Sequence, residues 1–268
     1  MGLKGLLGGV VACLLFVSCE LNDKIEEESK TTVALDALAE FSEVAIHFHG
    51  ASKTCREGLL MAEGDALKSV SGSDPIITVK KLSESNWPVL ITVDYGLGIQ
   101  CTDGIVRKGK VLIESTGWYK HENSVHVATF QNYYQNGYQL EGLHIETCDG
   151  QNEQGNFYFD VEVKNGVITS PLGKRIEYSQ TSTREWIKGS DTPLDINDDE
   201  YLIEGSQNGT SSKGTNFFMH VEEPLHWIMD PHHIASGTLL VNAGEINGIE
   251  VNYSTKQITI GAMTYPID

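Results

Sequence analysis

The chain has 268 residues and a formal net charge of −18 at pH 7. This acidic surplus disfavours nucleic acid and anionic membrane surfaces as partners, because binding to either requires clustered lysine and arginine. Hydrophobic residues form 40% of the sequence, which also has 27 glycines and only 7 prolines. These values predict a folded, turn-rich chain of one or two domains, neither disordered nor fibrous.

A signal peptide is predicted over residues 1–18. Lys4 precedes an apolar run from Leu6 to Val17, which is shorter than the roughly 20 residues that a membrane-spanning helix needs. The segment then ends in LFVSC, which resembles a bacterial lipobox. The resemblance implies cleavage before Cys19, acylation of that residue and attachment to a membrane through the lipid. The alternative is an ordinary secretory signal, with Cys19 as a disulfide cysteine.

Residues 19–30 are predicted to form an acidic tether. They read CELNDKIEEESK, in which acidic residues outnumber the two lysines and no apolar face is available for burial. An acidic cluster behind the lipidated cysteine also resembles the sequence by which Bacteroidetes bacteria send lipoproteins to the cell surface. We therefore expect a lipid-anchored protein of the outer membrane, exposed at the cell surface. The alternative is a tether whose charge has no role in sorting.

Residues 31–74 are predicted to be the helical part of the chain. Apolar residues recur there at intervals of three and four, at Leu35, Leu38, Phe41, Ala45 and Phe48. This spacing is typical of a helix with one apolar stripe. Gly50 is expected to interrupt the helix, and Ser52 is a candidate N-cap for a second, shorter helix.

Residues 75–268 are predicted to form an antiparallel β domain of about ten to twelve strands, each of ordinary length. Runs such as Phe157–Val163 are rich in β-forming residues, and short polar turns separate them. Asn136-Gly137 and Asn165-Gly166 are both expected to form two-residue hairpin turns. Short turns can join only antiparallel strands. The pattern leaves open a sandwich, an open barrel or one long twisted sheet, with residues 189–200 as the most polar internal loop.

Four segments carry a resemblance in their order along the chain. They are ITVDYGLGIQCTDGIVRKGKVLI (91–113), FQNYYQNGYQLEG (130–142), GVITSPLGKRIEYSQTSTREWIKG (166–189) and SGTLLV (236–241). Their order is similar to that of a family of Bacteroidetes surface lipoproteins without an assigned function. The resemblance implies an all-β surface lipoprotein and assigns no catalytic residue.

Three motifs approach known ligand-binding patterns without completing them. GIVRKGKV (104–111) lacks the hydroxyl residue that a phosphate-binding loop places after its lysine, and a hairpin is expected instead. HVEEPLHWIMDPHH (220–233) holds four histidines, but none has the spacing of a helical zinc site. DINDDE (195–200) begins like a calcium loop but lacks its glycine and closing glutamate. Asp195, Asn197 and Asp199 remain candidate ligands of an irregular Ca²⁺ site, and otherwise no cofactor is expected.

The remaining cysteines allow at most one disulfide. Cys55, Cys101 and Cys148 are three in number, and either one pair or three free thiols fits the sequence.

Aromatic side chains beside turns are the other candidate binding residues. The candidates are Trp118, Tyr119, Tyr133, Tyr134, Trp186 and Trp227, whose rings could contact a sugar or a partner protein. Packing between strands is the alternative role for each ring.

Two classes of function remain. We expect a non-catalytic binding or structural role, with a glycan, another surface protein or further copies of the chain as the partner. The alternative is an exported hydrolase that cleaves glycans through paired carboxylates.

Overall fold

The computed structural model describes residues 8–63, 74–192, 195–229 and 233–267. Within these residues the chain forms one long helix, fourteen strands and one short 3₁₀ helix at Ile196–Asp198. The long helix is α1 (Gly8–Glu63). The strands are β1 (Ile76–Lys81), β2 (Val89–Asp94), β3 (Ile99–Gln100), β4 (Val106–Ser115), β5 (Val125–Gln135), β6 (Tyr138–Gln151), β7 (Phe157–Thr169), β8 (Arg175–Lys188), β9 (Glu200–Thr210), β10 (Asn216–Ile228), β11 (His233–Ala243), β12 (Ile246–Asn252), β13 (Gln257–Ile260) and β14 (Met263–Pro266).

All the strands belong to one antiparallel sheet. Strands β1, β2 and β4 to β14 lie side by side in chain order, and the two-residue β3 pairs with β4. The predicted mainly β meander is confirmed. Of the three arrangements that the sequence left open, the open single sheet is correct, and the strands number slightly more than expected because the C-terminal ones are short.

Helix α1 runs without a break through Gly50, so the prediction of two helices is wrong. A Cβ atom at this position would lie 2.5 Å from Oε1 of Gln135 on β5. Glycine therefore allows close contact between helix and sheet, and tertiary packing outweighs its cost of about 1 kcal/mol in a helix. The same helix includes residues 19–30, the predicted acidic tether.

The buried stripe of α1 forms the core with the inner face of the sheet. It consists of Ala34, Ala37, Phe41, Val44, Phe48, Ala51, Cys55, Leu59 and Ala62. Phe41 and Phe48 lie at its centre as predicted, whereas Leu35, Leu38 and Ala45 pack only at its margin. Phe48 stacks on Tyr178 of β8, with ring centroids 5.2 Å apart. The inward-facing side chains of the strands thus pack against a helix that crosses much of the sheet.

Asn165-Gly166 forms a β-bulge inside β7, so the predicted hairpin at this dipeptide is wrong. Asn165 has a φ of 51°, and the pairing with β8 shifts register between Val163 and Gly166. A Cβ atom on Gly166 would lie 2.8 Å from Cζ of Phe48, so this glycine permits the approach of α1. By contrast, Asn136-Gly137 joins β5 to β6 with φ values of 48° and 86°, and the predicted turn is confirmed.

Further bulges lie on the neighbouring strands, at the same level of the sheet. Register shifts occur between Thr129 and Tyr133 in the pairing of β5 with β6, and between Glu141 and Leu143 in that of β6 with β7. Because a bulge bends its strand and increases the local twist, this row of bulges curves the sheet around the helix.

The three cysteines are free thiols in the described part of the chain, with Cys55 and Cys148 buried. Among the described residues, no helix is both long enough and apolar enough to cross a membrane.

Candidate functional site

A buried ion pair joins α1 to the middle of the sheet. Nη2 of Arg184 on β8 lies 2.9 Å from Oε2 of Glu146 on β6, and both side chains are almost fully buried. Ser52 on α1 and Tyr119 each donate a hydrogen bond to this carboxylate. Arg184 in turn donates to both hydroxyls, at 3.0 Å for Ser52 and 2.6 Å for Tyr119. Burial alone would raise the pKa of Glu146, but Arg184, the neighbouring His144 and the hydrogen bond from Ser52 lower it to about 2.

A second buried ion pair lies beside the first. Nη1 of Arg56 on α1 is 2.7 Å from Oδ2 of Asp199, which also accepts a hydrogen bond from Tyr201 at 2.8 Å. The indole of Trp186 donates to the other carboxylate oxygen at 2.9 Å. Burial raises the pKa of Asp199 to about 6, against the opposing effect of Arg56.

These two ion pairs, with the side chains that bond to them, form what we term the polar centre. Glu146 and Asp199 each hold a guanidinium, and their remaining acceptor sites are used by hydroxyl or indole donors. The lowered pKa of Glu146 makes it a poor general base, because its charge is already stabilised, and Asp199, although its pKa is raised, is only 1% exposed and so is closed to a substrate. The polar centre therefore fixes the position of the helix on the sheet.

Three of the predicted binding aromatics lie in the core instead of on the surface. Tyr119, Tyr133 and Trp186 expose 1% or less of their surface. The alternation of β5 and β8 directs Tyr133 and Trp186 toward the inner face of the sheet. Tyr119 lies in the turn between β4 and β5 and packs into the same core, where it stacks on Phe159 at 4.9 Å. They cannot contact an external ligand without unfolding.

The other three aromatics are half-buried and lie in separate parts of the sheet. Trp118, in the segment before β5, packs edge-on against Trp87, with ring centroids 4.7 Å apart. Tyr134 lies under Nζ of Lys108, 4.8 Å away, and Trp227 stacks on His49 at 4.5 Å. The six candidates therefore do not form one aromatic surface.

The candidate calcium ligands do not converge either. Asp199 points into the polar centre, whereas Asp195 accepts a hydrogen bond from the backbone nitrogen of Asn197 at 3.2 Å. In the histidine-rich segment, His226 pairs with Glu200 at 2.8 Å, and His232 lies outside the described residues. Within the described ranges, no group of three or more His, Cys, Asp or Glu side chains is placed to hold a metal ion.

A pocket of 520 Å³ opens where the curved sheet leaves α1 uncovered. We term it the mouth pocket. Its helical wall contains Ile46, His47, His49, Gly50 and Lys53, and its other walls contain Asp103, Ile105, Arg107, Gln135, Asn136, Tyr138, Asn197 and Met229. Both its volume and its mixture of apolar and polar side chains are typical of small-molecule sites, which span about 300–1,000 Å³.

One carboxylate organises the charged side of the mouth pocket. Asp103 accepts two parallel hydrogen bonds from Arg107, each 2.8 Å long, and a third from Nζ of Lys53 at 2.9 Å. Burial would raise the pKa of Asp103, but the two cations lower it well below its usual value. The side chain of Arg107 is buried, and its guanidinium is held in a fixed orientation by the bidentate contact.

The outer face of the sheet carries a shallower trough of 610 Å³. Its lining includes Asp160, Glu162, Glu204, Glu222 and His220. These side chains face solvent on the side of the sheet opposite α1.

Comparison with known proteins gives no relative: no family model, no curated protein and no solved structure matches this chain. The site is therefore interpreted from its own chemistry.

The sequence-based reasoning did not identify the buried charges, although the strand period contains a signal for them. Glu146 is two residues from Cys148, and Arg184 is two residues from Trp186, so each charge shares the inner face with a buried residue. An acidic and a basic residue predicted on the inner faces of nearby strands would have indicated a buried pair.

Proposed function

We propose that the protein is a lipid-anchored lipoprotein of the outer membrane, exposed at the cell surface, with a non-catalytic binding role. The mouth pocket carries the binding part of this proposal, because it is concave, mixed in polarity and lined by side chains held in fixed positions. The lipid anchor is supported by the lipobox-like sequence that ends at Cys19. A glycan, another surface protein and a second copy of the chain are the candidate partners.

The organisation of the helix connects the two parts of the proposal. Cys19 lies on α1, and the same helix supplies Lys53 to the wall of the mouth pocket. The segment next to the lipid is thus continuous with the segment that forms the site.

The alternative function, glycan hydrolysis by paired carboxylates, finds less support in the site. Glu146 and Asp199 are 2% and 1% exposed, so neither reaches a substrate even though the pKa of Asp199 is raised, and Asp103 is paired with Arg107 and Lys53. Hydrolysis needs one carboxyl group that keeps its proton and a second that is free to act as base or nucleophile. An assay of the purified protein on polysaccharides tests this alternative, and release of reducing ends would refute the non-catalytic role.

The anchor is tested by fractionating cells that produce Cys19→Ala. We expect this variant to leave the membrane fraction, whereas Cys13→Ala, which lies in the predicted signal peptide, remains membrane-bound. Protease treatment of intact cells then tests exposure, and we expect digestion of the parent protein without lysis. Membrane retention of Cys19→Ala equal to that of the parent would refute the lipid anchor.

A further inference from the structure

The charged side of the mouth pocket holds more positive than negative charge. Lys53 and Arg107 share the single carboxylate of Asp103, and only 14% and 3% of the two basic side chains are exposed. Solvent therefore does little to stabilise the positive charge that the single carboxylate of Asp103 leaves unbalanced. The guanidinium Nε of Arg107 is buried and has no hydrogen-bond partner among the described residues.

Among the described residues, Asp103 is the one acidic side chain that lines the pocket. Glu57 lies near both cations but is not part of the pocket lining, and burial raises the pKa of its carboxyl group. His47 on the pocket wall adds no negative charge, and burial lowers its pKa. Glu43 accepts a hydrogen bond from the hydroxyl of Tyr138 and is not among the residues that line the pocket.

The mouth pocket also has apolar lining. Ile46 of α1, which is 58% exposed, lines it together with Ile105 and Met229. A ligand that fits this environment has one anionic end and a less polar body.

We propose that the mouth pocket binds a small organic carboxylate. Its carboxylate group pairs with Lys53 and Arg107, and its body lies against Ile46, Ile105 and Met229. An ammonium group has three donors, and Lys53 uses one of them on Asp103, so it can bond to the ligand without losing this contact. This inference rests on the proposed binding role and adds the chemical class of the ligand.

The test is calorimetric titration of the full-length protein in detergent with two carboxylates and their neutral counterparts. Butyrate is compared with 1-butanol, and galacturonate with galactose. We expect at least one carboxylate to bind about tenfold or more tightly than its neutral counterpart, because a charge-assisted contact is lost in the latter. The pair that shows this difference tells whether the carboxylate comes from an aliphatic acid or from an acidic sugar.

Variants locate the binding. Lys53→Met should weaken carboxylate binding about tenfold. Lys110→Met is the matched control, since Lys110 forms a comparable pair with Asp94, 2.7 Å long, away from the pocket, and we expect no change in affinity.

Three results would overturn the inference. They are no binding of either carboxylate, equal binding of acid and neutral counterpart, and equal weakening by Lys53→Met and Lys110→Met. If galactose binds and galacturonate does not, the proposed binding role stands and the carboxylate inference falls. The comparison of acid with neutral ligand uses the parent protein, so it remains decisive even if Lys53→Met does not fold.

Discussion

Removal of Arg184 is expected to destabilise the protein more than any surface substitution. The guanidinium forms hydrogen bonds with Ser52, Tyr119 and Glu146, and its side chain is 8% exposed. Arg184→Met preserves much of the apolar stem but leaves the carboxylate of Glu146 buried without its guanidinium partner, and only His144, 3.7 Å away, could take up part of that role. Breaking a buried pair from one side costs about 3–5 kcal/mol, a large part of the roughly 5–15 kcal/mol that stabilises a typical domain.

The loss of stability caused by Arg184→Met should depend on pH and on whether residue 146 can carry a negative charge. Without Arg184, burial raises the pKa of Glu146, so the carboxyl group takes up a proton more readily and the loss of stability becomes smaller near pH 5 than at pH 7. In the double variant Arg184→Met, Glu146→Gln the buried charge is absent. We expect the double variant to be about 2–3 kcal/mol more stable than the sum of the two single changes predicts.

Urea unfolding followed by tryptophan fluorescence measures these differences, because Trp186 is buried beside the polar centre. Arg175→Met is the matched control on the same strand, since Arg175 is 55% exposed and its carboxylate contacts are 3.7 and 3.8 Å long. We expect a change within about 0.5 kcal/mol for the control. A loss of similar size in Arg175→Met, or additive behaviour in the double variant, would refute this account of the polar centre.

Three further outcomes are expected. The pKa of Glu146 is about 2 in the folded protein and 4.5 ordinarily, so this group contributes on the order of 3 kcal/mol to the free energy of unfolding above pH 4.5 and loses that contribution as the pH falls toward 2. When stability is measured against pH, Glu146→Gln should lack this part of the acid-induced loss, and a profile equal to that of the parent protein would exclude the effect. Gly166→Val should destabilise the protein by about 1–3 kcal/mol in urea unfolding, since its side chain would overlap Phe48 and Val163, and unchanged stability would contradict the close approach of α1 at this position. A chain that starts at Asp74 should fail to form a cooperative fold in circular dichroism, because the inner face of its sheet would lose Phe41, Phe48 and Leu59, and a sharp thermal transition would contradict this expectation.

The sequence predicted the class of fold because that class depends on local periodicity. The change from an interval of three or four residues before Glu63 to alternation after Ile76 is a property of neighbouring residues. The turn at Asn136-Gly137 is likewise local. Asn165-Gly166 has the same composition, yet it forms a bulge instead of a hairpin turn, at a position where a distant residue, Phe48, occupies the space above Gly166. No local pattern distinguishes the two dipeptides.

The candidate site was predicted less well for the same reason. Aromatic residues beside turns were interpreted as exposed, but the direction of each side chain depends on which face of the strand meets α1. Asp103 and Arg107 are four residues apart in one hairpin and pair locally, whereas Lys53 comes from α1, fifty residues away, and only the packing of the helix on the sheet brings it to them. A residue so far away in sequence, outside any shared motif, gives no joint signal with the other two.

The order of elements in this fold has a consequence for how the chain is assembled during synthesis. Each strand after β1 pairs with a strand that precedes it closely in the chain, and the helix that covers much of the sheet precedes every strand. Because synthesis begins at the N-terminus, α1 is present before any strand emerges, and most new hairpins find both a neighbouring strand and an apolar cover already in place. We expect such a chain to fold progressively, with little time in which an exposed strand edge could pair with another molecule. Pulse-labelled hydrogen exchange during refolding would show protection of β2 and β4 before β12 and β13 if assembly follows this order.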